Sequence, residues 1–539
     1  TMAESRQGSP GGRSSSSWRS VSVVNAASPV YARLQTSATR LLVALRRSTT
    51  SFLRAQVTEV GVTSSEAASL AVREAFFFDD PRLLRGTRLA QLLHGFGGIL
   101  EDSKGSAATY ELSHAVQNID WFISHNWSTG RWEKFMALQL HFYGSHALAA
   151  AAVMWGLAFA LTAAGAVPVV EDDLGRFAVS GFAVVLPAFA LYLCFVPEAV
   201  RCLGVMGPTC FLDKTCIHQT DVDLKRQGIT KLGAFLRKSS GLVVVYSDVY
   251  LRKLWTVYEL ACFLFVKPQE PIFLVPLYLH KFALWGCLSS FALNSVLYVL
   301  RFKGCAIAGD DNVVFLIGVL RFACVALFFR VLARELRRIQ TLVRQFSVQD
   351  TICFDEGDRP LVYHNIAMFM EVAGLVPEEE PEPRALEKFN ALVQGHLEKA
   401  LRLSIGTAGL PYHLAVAYFL NHFSYNADME LGRLSELRQP GPAIAYLLWF
   451  LGHVLAVGPL GLVVFCSCMR RLHCLPGFVD AALFTAAACV TALVLHCLYA
   501  RLYCNLVVEP AAHSGFYLAL EAVIFFFLLA LTVAVYRRC

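Results

Sequence analysis

The feature that most limits this chain is a series of long stretches with no charged residue. Ala147–Val170 carries none. Glu171, Asp172 and Asp173 follow, and Phe177–Val196 again carries none. Crossing a hydrocarbon core of about 30 Å takes about 20 apolar residues in a helix. Only helices and closed barrels pair their backbone groups in lipid, so such stretches are read as spanning helices. Phe282–Leu300, Val313–Phe329, Ala443–Cys468, Phe478–Ala500 and Phe516–Tyr536 extend the series to seven spans, with Arg321, Asp480 and Glu521 as the charges within or beside them. Charges in a span are functional or paired in the bundle. Leu403–Leu420 is a weaker eighth, since it holds Pro411 and His413. Of the 539 residues 56% are hydrophobic and 16% charged, against about 25% charged in soluble domains. The expectation is an α-helical polytopic membrane protein whose main partner is the lipid bilayer.

Charge sets the expected orientation. Lys214, Lys225, Arg226, Lys231, Arg237, Lys238, Arg252 and Lys253 lie between the first two hairpins, and Arg330, Arg334, Arg337, Arg338 and Arg344 follow the second. The positive-inside rule places these segments and the N-terminus in the cytosol. Seven spans would leave Arg470–Arg471 and Arg537–Arg538 outside; eight bring both inside, and the charges favour eight. No basic block interleaved with aromatics suggests nucleic acid. No His/Cys cluster has zinc spacing, so no metal is expected. The 16 cysteines form no C-x-x-C pair and read as reduced packing residues, with Cys466, Cys468 and Cys474 at a membrane edge.

The remaining chain divides by composition. Residues 1–64 form a Ser- and Arg-rich arm expected to be disordered, and 65–118 read as helical around Phe76–Phe78. Hairpins occupy 147–196 and 282–333, α/β pieces 119–143 and 205–279, and spans 443–536. The cytosolic stretch 334–440 holds an acidic proline linker, Val376–Pro383, and then Leu386, Phe389, Val393, Leu397, Ala400 and Leu401 at helical spacing. That helix is expected to pack against its own protein.

The α/β pieces alternate strand and helix. Asp120–His125, Cys210–Asp213, Gly241–Ser247 and Pro271–Leu279 read as strands, while Trp127–Leu140, Asp223–Lys238 and Leu254–Phe265 read as helices. Near-continuous apolar strands separated by helices indicate a parallel sheet, with ligands beyond the strands' carboxyl ends. Those ends are Ser124-His125-Asn126, Asp213-Lys214 and Ser247-Asp248. Asp358–His364 is a candidate for one more strand.

In order and spacing these pieces resemble a Toll/interleukin receptor (TIR) domain, a flavodoxin-like α/β fold. The resemblance rests on Phe122-Ile123-Ser124-His125, on Phe211-Leu212-Asp213 with Gly228-Ile229, on Ser239 to Ser247 with Tyr250, and above all on Trp255-Thr256-Val257-Tyr258-Glu259-Leu260. It covers about a fifth of the chain. The chain departs from the family in the hairpin inserted after the first helix, the lack of an evident fifth strand, and Thr256 where a cysteine often follows the tryptophan. Two spans return the chain to the side it left, so both pieces can share one sheet.

The resemblance implies two functions. TIR domains associate with one another, often through the segment after the second strand, here Lys214–Gly228, which makes a membrane-anchored signalling protein the first expectation. Some members also cleave the nicotinamide–ribose bond of NAD. Glu259 matches their catalytic glutamate, and Ser124, His125, Trp127, Lys214 and Trp255 would line the site, with NAD as substrate and no prosthetic group. The plainer account of Glu259 is a surface acid pairing with Arg252 or Lys253. A channel or transporter regulated by the TIR-like domain is a third class.

Overall fold

The computed structural model describes residues 73–172, 175–303, 320, 330–332, 334–353, 355–377, 380–405, 410–437, 446–448, 450–463 and 515–537. The arm over 1–64, the stretch Phe478–Ala500, almost all of Val313–Phe329, and Cys466, Cys468 and Cys474 lie outside the described residues.

Strand β1 (Arg85–Arg88) runs directly into α1 (Leu89–Gly97). β2 (His114–Ala115) and β3 (Ile119–Ser124) follow. Helix α2 runs without interruption from Arg131 to Ala163. A ribbon of β4 (Val170–Asp172) and β5 (Gly175–Phe177) turns the chain into α3 (Ser180–Cys202), which leads back to β6 (Thr209–Phe211). Next come α4 (Val222–Thr230), α5 (Leu232–Lys238), β7 (Ser239–Tyr246), α6 (Leu254–Val266), β8 (Ile272–Pro276) and α7 (Tyr278–Phe302). Helices α8 (Asp358–Val372), α9 (Glu382–Ile405), α10 (Tyr412–His422), α11 (Ser424–Leu437) and α12 (Gly515–Arg537) complete the labelled elements.

The sheet has six strands in the order β2-β1-β6-β3-β7-β8. β6, β3, β7 and β8 are parallel, with Phe122 opposite Phe211 and Leu242, while β1 joins β6 antiparallel. Numbered along the chain, the four parallel strands lie 2-1-3-4, the order of doubly wound sheets. Alternation along the strands builds two cores. Ile123, Val243 and Val245 face α1 and α2 with Leu92, Phe135 and Leu138. Phe122, Leu242 and Val244 face the other way, onto Phe235, Leu260 and Phe263.

The reach of α2 explains how an apolar hairpin fits inside a sheet. Its 33 residues span about 50 Å at 1.5 Å per residue, whereas six-residue β3 spans about 20 Å. The first turns bury Phe135, Ala137, Leu138 and Leu140 against the sheet. The remaining length, about 30 Å, overshoots it and matches a hydrocarbon core. α3 packs antiparallel along α2 and delivers β6 at the edge a crossover normally reaches. Four described helices are long and apolar enough to cross a membrane: α2, α3, α7 and Tyr446–Val463. At the far end of the hairpin, Asp172 pairs with Arg301 of α7 at 2.6 Å, both largely buried.

Several expectations change. Region 65–118 is not simply helical, because it supplies β1 and β2. Four residues with two arginines carry no strand signal by themselves. Pairing of Thr87 with Cys210 makes the strand, and the arginines are held at its borders by Ser113 and Gly207. Asp358–His364 begins α8 rather than a strand, with Val362, Ile366 and Phe369 buried at helical spacing. The β8 edge is covered instead by α9, and Ser404 Oγ accepts the Leu274 N–H at 2.8 Å. Leu403–Leu420 is not one helix. α9 ends at Ile405, and Pro411 starts the 11-residue α10, about 16 Å long. The Asp223–Lys238 helix divides at Lys231. The apolar face of α9 is buried as expected, from Leu386 to Leu401.

Continuity of α2 is testable. Ala147 is fully buried where the helix leaves the sheet. A proline there removes a helical hydrogen bond and costs about 3 kcal/mol or more. Ala147→Pro should lower the thermal midpoint of the detergent-solubilised protein by several degrees, whereas Ala147→Ser should not.

Candidate functional site

The carboxyl end of β3 is the centre of the sheet, and Ser124 is its last residue. Its hydroxyl is entirely buried between two side chains from the segment after β7. It lies 2.6 Å from the Tyr250 hydroxyl and is hydrogen-bonded to the Glu259 carboxyl. Tyr250 sits in a single turn between β7 and α6, and Glu259 lies in the second turn of α6. Each is brought in by the parallel register that sets Ser124 beside Val244. Glu259 therefore does not pair with Arg252 or Lys253.

Glu259 is half-buried and its carboxyl sits in a poorly solvated place. Loss of solvation pushes its pKa up to about 8; the Ser124 hydrogen bond opposes this and the charge of Asp213 adds to it. Burial also raises Tyr250 far above the phenol range, with Glu259 adding to it. At neutral pH the pair is uncharged, which is why it can be held inside the protein.

A second cluster adjoins it across Asp213. His125 and Trp127 follow Ser124 in the loop before α2. The Trp127 indole N–H donates to Asp213 at 2.9 Å, and the His125 ring stands edge-on to it with centroids 4.4 Å apart. Burial lowers the His125 pKa to about 4, against the pull of Asp213 and with the push of Lys134, so the ring is neutral. Lys214 does not line an open site. Its ammonium is spent on the Asp102 carboxylate at 2.9 Å and on the Ile99 and Asp102 carbonyls. Lys134 is 0% exposed and its ammonium has no hydrogen-bond partner; it lies 4.7 Å from the centre of the Trp127 ring. The His125 Nε2 and Asn126 Nδ2 atoms are also buried without a partner.

Trp255 is placed apart from these. Its indole N–H donates to Asp358 of α8 at 3.0 Å, and its ring meets Tyr258. The structure thus joins Ser124 to Glu259, groups His125, Trp127 and Lys214 around Asp213, and turns Trp255 toward α8. Tyr250, Lys134 and Asp102 also belong to the site; Lys134 and Asp102 carry no local signal in the sequence, because their roles come from residues far along the chain. No group of His, Cys, Asp and Glu able to hold a metal ion occurs among the described residues. Comparison with known proteins gives no match to a family model, to a curated protein or to a solved structure.

The raised Glu259 pKa makes a stability prediction. The folded state keeps a proton that the unfolded chain releases above about 4.5. Stability attributable to this group therefore falls as pH rises from there to about 8, and changes no further beyond. Glu259→Gln should melt with the wild-type protein at pH 5 and above it at pH 9. Parallel melting curves at both pH values would show that the carboxyl is not held protonated.

Proposed function

We propose that this chain is a membrane-anchored, TIR-like hydrolase of the N-glycosidic bond of a nicotinamide dinucleotide, with its α/β unit in the cytosol and Glu259 as its catalytic residue. The observation that carries this is the Ser124–Glu259 pair at the carboxyl end of the central strand, where doubly wound sheets bind ligands. The resemblance set out above assigns the same glutamate.

The chemistry suits a carboxylate in a dry site. As the ribose–nitrogen bond breaks, both its electrons go to the pyridinium ring, which leaves as neutral nicotinamide. Positive charge then develops on the ribose, and the Glu259 carboxylate stabilises it more strongly there than in water. Water adds to the ribose carbon and releases one proton, giving ADP-ribose. Ser124 donates to the carboxylate and Tyr250 to Ser124, which fixes the direction in which the charge acts. The resting pair is protonated, so the reactive form is the minor one below about pH 8. The cationic ring of the substrate favours the carboxylate when it binds.

Two outcomes test this. Detergent-purified protein should release nicotinamide from NAD, and Glu259→Ala should lower turnover by about 10²–10³-fold, the range usual for losing one group that stabilises developing charge. kcat/KM should rise with pH up to about 8 and then level off. An absence of nicotinamide release from concentrated protein counts against the reading.

Association of such domains is the second function, favoured by one observation. Val222 at the start of α4 is 78% exposed and Ile229 on the same helix is 40% exposed, in the segment after the second parallel strand. Membrane tethering raises the local concentration of such surfaces. Val222→Asp should abolish cross-linked dimers in liposomes while leaving the melting temperature unchanged.

A further inference from the structure

A pocket of about 790 Å³ opens at the carboxyl ends of β7 and β8, within the range of about 300–1,000 Å³ usual for small-molecule sites. We propose that it binds the adenosine diphosphate half of the dinucleotide whose nicotinamide end reaches Glu259, an assignment that rests on the hydrolytic reading above.

The pocket has a place for phosphate. Ser128, Thr129 and Gly130 form one wall, and α2 starts immediately after them with no side-chain cap at Gly130. The first backbone N–H groups of a long helix are then presented toward the pocket, where they favour an anion. Lys134 lies one turn into the same helix, buried without a hydrogen-bond partner, and its burial lowers the ammonium pKa to about 8.

The pocket also has exposed cations. Lys281 and Arg338 line it and are more than half exposed, Lys281 pairing with Glu133 at 2.6 Å and Arg338 with Asp248 at 2.8 Å. Glu335, the third acid of the pocket, lies 4.0 Å from Arg338. Exposed pairs of this kind contribute little to stability, so a phosphate can take over either cation at little cost.

The rest of the pocket suits an uncharged ring and sugar. Tyr246 is 2% exposed, and its hydroxyl and that of Ser247 have no hydrogen-bond partner. Such groups are costly to leave unmet. Phe282 and Trp285 of the first turns of α7 also line the pocket, and aromatic faces of this kind can stack a base. The pocket is linked to the glutamate through Tyr250 and Ser124, which lie between its Tyr246 and Glu259. The Tyr246 and Tyr250 rings are 6.0 Å apart, and Tyr250 reaches Ser124. The two regions are neighbouring parts of the crevice between β3 and β7, where the strand order reverses.

The test separates this assignment from the hydrolytic one. ADP-ribose is titrated calorimetrically into the full-length Glu259→Gln protein in detergent, alone and combined with Trp285→Ala or Ser247→Ala. Binding that weakens at least tenfold in both double variants, with unchanged melting temperature, supports the assignment. Absence of binding, or equal affinity in all three proteins, overturns it. With wild-type protein, Trp285→Ala should raise KM for NAD while leaving that for nicotinamide mononucleotide unchanged; an equal rise for both overturns it too. Binding of ADP-ribose without any release of nicotinamide would remove the hydrolytic reading and leave a nucleotide pocket standing. Hydrolysis that persists without ADP-ribose binding would do the reverse.

Discussion

The structure depends on the unbroken helix from Arg131 to Ala163. A parallel pair of strands needs a crossover that returns the chain to the opposite edge of the sheet. Here the crossover helix overshoots, and a second antiparallel helix brings the chain back. The sheet remains closed because the excursion is a pair of helices. A single helix of that length would have left β6 at the wrong end. The apolar part and the α/β part are therefore not separable modules. The same helix packs Phe135 and Leu138 against β3 and β7 and, further along, packs Trp155 against Phe450.

That arrangement governs what the site can be. α2 begins at the carboxyl edge of the sheet, so the loop before it, with His125 and Trp127, is pinned by a long rigid element. The polar groups there are nearly all buried, and their charges are answered locally: Lys214 by Asp102, and Asp213 by Trp127. Lys134 has no hydrogen-bond partner, and Glu259 is a carboxyl held by a hydroxyl pair without a nearby cation. Structural acids are ordinarily given a positive partner, because an uncompensated buried charge is expensive. A carboxyl left to carry its own desolvation is poised to change protonation, and perturbed groups of this kind concentrate at functional sites.

The lateral helices stabilise the same centre from outside. α9 closes the exposed edge of β8 and so protects the sheet from pairing with another chain. α8 lies against α6, with Phe369 stacked on Phe265 at 4.9 Å, and holds Trp255 through Asp358. The helix carrying Glu259 is thus fixed on one side by the sheet and on the other by α8, which comes after α7 in the chain.

Much of this was legible in the sequence. The uncharged stretches within α2, α3 and α7 required helices of membrane-crossing length. Apolar strands between helices required a parallel sheet, and the spacing from Leu386 to Leu401 required an amphipathic helix. Each follows from periodicity or length, which are local. Tertiary structure decided the rest. β1 exists because β6 offers an edge, not because Arg85–Arg88 favours a strand. Asp358–His364 is helical because the β8 edge is already covered. Lys214, a loop cation by sequence, is consumed by Asp102. Ser124 and Glu259 stand 135 residues apart, with an apolar hairpin between them. Only the register of β3 beside β7 brings their side chains together, and only the burial created by that packing raises the carboxyl pKa.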